Sequence, residues 1–226
     1  MSETRSRKRP GSAVYEKIKE MAICCEFLSG QNINENKLAE TLGVSRSPVR
    51  DSLNRLVNQG LVEFKANHGF FARNVSEKQL SDLMEARLGL EIHAARLAIQ
   101  KSTRSAIEYI AEIHYTDLQK IKELDFLQLL QKDELFHNAI YKLSDNSILS
   151  EHATSIEIRL RYFRRIQLEI STSPWLGFDD HESILDAMLR NSIDDCEKIV
   201  SKHLTYKQAD IENILREVSW RQSKIR

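Results

Sequence analysis

The sequence predicts a mainly α-helical protein, with an N-terminal winged helix-turn-helix followed by a C-terminal all-α antiparallel helical bundle. Three observations carry that expectation. Between Gly43 and Gly60 the chain stops one helix, turns, and starts another amphipathic helix. Residues 61–73 then alternate apolar and polar positions around a turn at Asn67-His68-Gly69, as a small hairpin does. From residue 76 onward the periodicity is helical throughout, and Pro174 is the only proline after Pro48.

Taken in order, residues 13–28 form an amphipathic helix with Tyr15, Ile18, Ala22, Cys25 and Leu28 on its buried stripe. Asn34 caps a short helix carrying Leu38 and Leu42, and Gly43 ends it. Ser47 caps the next helix and Pro48 occupies its first position, where the missing N–H would have been orphaned anyway. That helix buries Val49, Leu53, Leu56 and Val57 and closes at Gly60. Its leading edge carries Ser45, Arg46, Ser47 and Arg50, with Asn54 further along. These donors suit phosphates and base edges at the helix end that enters a major groove. The hairpin of residues 61–65 and 70–73 supplies the wing. In the second half, helices are expected from Ser76 to about residue 102, then near 105–122, 125–143, 146–170, 178–190 and 192–220.

The formal net charge is zero over 226 residues, but the two halves differ. Residues 1–75 hold 12 Lys+Arg against 8 Asp+Glu, a net +4, and the remainder is −4. The positive field therefore sits with the helix-turn-helix, as a nucleic-acid binder requires. Residues 1–12 add a basic arm containing Arg5, Arg7, Lys8 and Arg9. The expected domains are a DNA-binding unit at 1–75, where the positive charge lies, and an effector-binding and dimerisation unit at 76–226, where the interior of a helical bundle is a natural ligand site. Cys24, Cys25 and Cys196 make no disulfide framework, and no apolar run approaches a membrane span. A cytoplasmic protein without a membrane partner is expected.

The second half also places polar residues on apolar faces. Asp133 and His137 lie one helical turn apart beside Phe126, Leu129, Leu130, Phe136 and Ile140. His181 extends the stripe of Ile184, Leu185 and Met188, and His203 joins Cys196, Ile199, Val200 and Leu204. An unpaired carboxylate in an apolar core costs several kcal/mol, so pairing or metal binding is expected. One carboxylate and three imidazoles suit a divalent zinc, nickel or manganese ion with open positions for water or ligand. His114 also lies on an apolar stripe, with Ile110, Leu118 and Ile121, and is expected to pack there. Arg87 and Arg161 are expected effector contacts. The alternatives are an internal acid partner for Arg87, and a solvated face or dimer contact for the cluster Arg159, Arg161, Arg164 and Arg165.

Residues 37–53, the Tyr15–Lys19 stretch and the 60–69 wing together resemble the DNA-binding domain of the GntR family of bacterial regulators. The resemblance implies that Arg46 and Arg50 contact bases or phosphates. It further implies that Ser45 and Ser47 contact the backbone, and that His68 with Gly69 enters the minor groove. Some members carry Arg at the start of helix two, where Asn36 stands here, so that contact is not implied. Asp133-x-x-x-His137, the His181–Ala187 stretch and Lys202-His203-Leu204, in that order, resemble the effector domain of the FadR subfamily, the FCD type. That implies a divalent metal on Asp133, His137, His181 and His203, often with a small carboxylate beside it. The expectation is a homodimeric transcription regulator, not an enzyme, that binds double-stranded operator DNA and responds to an organic acid. Its rivals are a metal sensor and a metalloenzyme with a DNA-binding appendage.

Overall fold

The computed structural model describes residues 10–23, 27, 30–73, 76–172, 177–205 and 208–225. The basic-arm residues Arg5, Arg7, Lys8 and Arg9, together with Cys24, Cys25, Leu28 and Pro174, lie outside the described residues. The chain divides into two compact units, Met1–Val75 with Gln222–Arg226, and Ser76–Arg221.

Among the described residues up to Arg73, the first unit holds three helices and a three-stranded antiparallel sheet. Helix α1 (Pro10–Ile23) buries Val14, Tyr15, Ile18 and Ile23. Phe27 already lies in a bend, so the expected run to residue 28 is not one continuous helix. Helix α2 (Glu35–Leu42) starts where Asn34 Oδ1 accepts from the backbone N–H groups of Asn36 and Lys37. It ends at Gly43, whose φ of 64° lets Val44 N–H reach back to Ala39 O. Helix α3 (Arg46–Asn58) packs on α1 through Val49, Leu53 and Leu56. Its N-cap is Ser45 rather than the expected Ser47, so Pro48 stands third in the helix. The placement costs nothing, because the first four N–H groups of a helix lack intrahelical partners.

Strands β2 (Val62–Lys65) and β3 (Gly69–Ala72) form the expected hairpin. A third strand that the sequence pattern did not show, β1 (Asn32–Ile33), pairs with the other edge of β3, giving the order β1-β3-β2. Asn32 Nδ2 donates to His68 O at 2.9 Å, which ties the wing turn to the start of the helix-turn-helix.

Among its described residues the second unit is helical. Helix α4 (Glu77–Lys101) opens on a reciprocal cap between Ser76 and Gln79. It is followed by α5 (Arg104–Leu118), a 3-10 turn (Ile121–Glu123), α6 (Phe126–Leu143), α7 (Ser147–Ile170), α8 (Gly177–Leu189), α9 (Ile193–Leu204) and α10 (Gln208–Ile225), which runs past this unit's end at Arg221. The single helix expected over 192–220 is therefore two, because Thr205 leaves the helical conformation at ψ 117°. Helix α4 packs against α6, α7 and α9, and α8 packs against α5 and α9. Their shared core includes Ala94, Ala98, Ile107, Phe136, Ile140, Leu185, Met188 and Val200. Phe126, expected on the buried side of its helix, is instead 40% exposed.

Candidate DNA-reading face and candidate metal centre

Arg46 and Arg50 stand on the first and second turns of α3 and are about half exposed, at 55% and 52%. Ser45, Ser47 and Asn54 are exposed beside them, and His68 is exposed at the wing turn. Gly69, with a φ of 86°, allows the sharp reversal between β2 and β3. The two arginines share a carboxylate, with Glu35 Oε2 at 2.6 Å from Arg46 Nη2 and Oε1 at 3.8 Å from Arg50 Nη1.

In the second unit four side chains from three helices converge. One potential ligand atom from each of Asp133 and His137 on α6, His181 on α8 and His203 on α9 lies within 4.8 Å of the other three. His181 Nε2 lies 3.1 Å from His203 Nε2, and Asp133 Oδ1 lies 3.3 Å from His181 Nε2 and 3.5 Å from His137 Nε2. Ligands bound at about 2.0–2.2 Å to one ion stand at most about 4.4 Å apart, so small closing movements bring all four into range.

His137 shows which of its nitrogens faces the cluster. Nδ1 lies 2.8 Å from Glu91 Oε2, while Nε2 is buried without a hydrogen-bond partner and points toward the other three side chains. A buried imidazole nitrogen without a partner carries a desolvation cost that a metal bond removes. Burial, then the neighbouring His137 and His114, pushes the His181 imidazole well below its ordinary pKa. Burial, followed by His181 and His137, depresses His203 as well. Both rings are therefore held neutral, the form that donates a lone pair to a metal.

Behind the cluster lies a buried charged network. Arg87 Nε meets Glu91 Oε1 at 3.2 Å and Glu157 Oε1 at 2.5 Å. Tyr141 donates its hydroxyl to Glu91 Oε1 at 2.7 Å. Arg164 pairs with both Glu157 and Asp133. Burial pushes the Glu91 carboxyl up, but its hydrogen bonds with His137 and Tyr141 and the charge of Arg87 outweigh it and hold it below the usual carboxylate range. Arg87, expected to face an effector, is thus engaged by internal acids, and Arg164, from the cluster with a solvated reading, is buried at 5% exposure. Arg161 is about one-third exposed and pairs with Glu134 at 3.1 Å. His114 is buried, stacked on Phe178 and against Phe136, and is not one of the four clustered side chains.

The profile of the FCD domain matches residues 82–206, and that of the bacterial regulatory proteins of the gntR family matches residues 10–72. The Nta operon transcriptional regulator of Aminobacter aminovorans is 35% identical over 196 residues, covering 87% of this chain and 91% of the relative. The chain belongs to the gntR family of bacterial regulators. The transcriptional regulator LutR of Bacillus subtilis is 30% identical over 79% of this chain and 88% of its own length. The solved structure of E. coli McbR/YncC shares the fold, with a TM-score of 0.73, 22% identity, and coverage of 93% of this chain and 99% of that one.

The chain is thus a gntR-family transcription regulator with an FCD domain, and the gntR match spans α1, α2, α3 and the hairpin. The sequence pattern alone passed over Glu35, Glu91, Glu157 and Tyr141. A signal existed for one of them. Arg87 and Glu91 stand at i and i+4, as do Glu91 and the apolar position Ala95, which places both charges on the core face of α4.

Proposed function

We propose that this regulator acts as a cytoplasmic homodimer of the FadR subfamily. Its winged unit (1–75) binds a palindromic operator, and its helical unit (76–226) dimerises and senses a small carboxylate beside a divalent metal. Arg46 and Arg50 read base edges or phosphates, Ser45 and Ser47 hold the backbone, and His68 with Gly69 enters the minor groove. Two-fold operators match two-fold proteins, and one module alone gives modest affinity.

The observation that carries the sensing part is His137 Nε2, a buried orphan facing Asp133, His181 and His203. These four residues would hold zinc, nickel or manganese. With four protein ligands, such an ion keeps positions for water or a carboxylate oxygen if it is five- or six-coordinate. The ion supplies a Lewis-acid anchor for the effector's carboxylate. Of the two arginines expected at the effector, Arg161 is the better placed. Its partially exposed pair with Glu134 opens at lower cost than the buried bonds of Arg87. Control of DNA affinity then requires the effector to favour one conformation of the dimer over another.

Selecting duplexes from a random-sequence pool with the full chain tests this function. The selected DNA should contain an inverted repeat. Its affinity should change when a chelator removes divalent metal, and be restored when zinc, nickel or manganese is returned. A pool with no enriched sequence would overturn the DNA reading, and an affinity indifferent to chelation would overturn the metal-linked control.

A further inference from the structure

Glu35 is an acid set within a face otherwise furnished with donors. It opens α2 directly after Asn34, whose cap fixes the first turn and so the direction of the Glu35 side chain. The carboxylate is only 13% exposed, whereas its partners Arg46 and Arg50 are half exposed. Oε2 bonds Arg46, and Oε1 is buried without a hydrogen-bond partner, 3.8 Å from Arg50. Around it, Asn32, Asn36, Arg46, His68 and Gly69 line a concavity of about 180 Å³ between the start of α2 and the wing turn.

Surface ion pairs contribute little to fold stability, so stability is a weak reason for this one. Its effect falls on the arginines. A planar guanidinium held along one edge keeps its remaining N–H donors in a fixed direction, and a fixed fork loses less freedom when it meets a guanine edge. The negative charge also opposes a phosphate at the same spot, lowering the sequence-independent part of binding.

We propose that Glu35 is a specificity-determining residue, which aims Arg46 and Arg50 at base edges and holds them back from phosphates. The proposal rests on the reading that Arg46 and Arg50 contact DNA. Glu35→Gln removes the charge while keeping the size. It converts a directed, half-neutralised pair of arginines into two mobile cations, so discrimination falls while general DNA affinity rises.

Fluorescence anisotropy on the full chain tests this with two probes, a duplex enriched by the wild-type protein from a random pool and a scrambled duplex of equal composition. Glu35→Gln should bind the scrambled duplex more tightly, with a salt slope steeper by about 1, and the ratio of selected to scrambled affinity should fall about tenfold. In an Arg46→Ala/Arg50→Ala background, Glu35→Gln should leave the ratio of selected to scrambled affinity unchanged. Glu35→Asp, too short to hold Arg46 in the same way, should lower the ratio in the same direction, with an unchanged melting temperature as the control for folding. Equal losses on both duplexes, or an unchanged ratio, would overturn the role of Glu35 while leaving the arginines' role intact if Arg46→Ala weakens the selected duplex. Full affinity in Arg46→Ala/Arg50→Ala would instead remove the DNA reading on which the proposal stands.

Discussion

His137 Nδ1 lies 2.8 Å from Glu91 Oε2, and both side chains are almost wholly buried, at 2% and 3% exposure. The contact joins α6 to α4 and commits one imidazole nitrogen to a carboxylate, leaving Nε2 for the cluster of Asp133, His181 and His203. A carboxylate behind a ligating histidine fixes its tautomer and orientation and raises its basicity. Removing that charge should therefore weaken metal binding without touching a ligand. Glu91→Gln is expected to lower affinity for zinc by about 10–100-fold in competition with a chromogenic chelator. Glu91→Ala is a poorer probe, because it deprives buried Arg87 of a partner, a loss that costs about 3–5 kcal/mol in comparable buried pairs.

Metal removal should also be felt as stability. The four proposed ligands come from α6, α8 and α9, so one ion would tie three helices of the bundle together. An ion that binds only the folded state adds about 2.7 kcal/mol at one hundred times its Kd. Differential scanning calorimetry of the full chain should show the transition of the helical unit move down on chelation. The transition should recover when the metal is returned.

Much of this architecture was legible because the sequence punctuates it strongly. Gly43 and Gly60 adopt left-handed φ values of 64° and 70°, and with Pro48 they bracket α3 closely enough for its existence to follow from local chemistry. Asp133 and His137 were legible because one helical turn places them on one side, and His181 and His203 because they interrupt apolar stripes. Other features left no such mark. Strand β1 is two residues long and has no room for an alternating pattern. The break at Thr205 contains neither Gly nor Pro. Arg164 reads in sequence as part of a solvated face or a dimer contact, because its partners Glu157 and Asp133 lie two turns away or on another element, and only tertiary packing brings them together. Ser45 and Ser47 carry equal capping chemistry, so composition could not choose between them, and Ser45 caps without a side-chain hydrogen bond.

The exposed arginines on α3 predict a direct loss in DNA binding. Arg46→Ala or Arg50→Ala should each cost about 1–3 kcal/mol of affinity for a selected duplex. Neither side chain belongs to the core of the first unit, so far-UV circular dichroism should be unchanged. Gel-shift titration at fixed salt measures the loss, and an unaltered double variant would contradict the assignment.

Assembly gives a further expectation. The net charge of −4 beyond residue 75 makes the helical half the poorer surface for DNA and leaves it for the dimer contact. Sedimentation equilibrium of the full chain without DNA should give twice the chain mass of 26.2 kDa at micromolar concentration. A monomer under those conditions would remove the two-fold match to an inverted repeat.

The most direct measurement is elemental analysis of purified full-length protein beside two variants. Wild type should carry about one divalent ion per chain, matching the single four-residue cluster found among the described residues. His114→Ala, which alters a packed ring outside that cluster, should retain it. His137→Ala/His203→Ala should lose it while keeping its helical spectrum. Stoichiometric metal persisting in the double variant would contradict the site and leave these histidines as packing residues of the bundle.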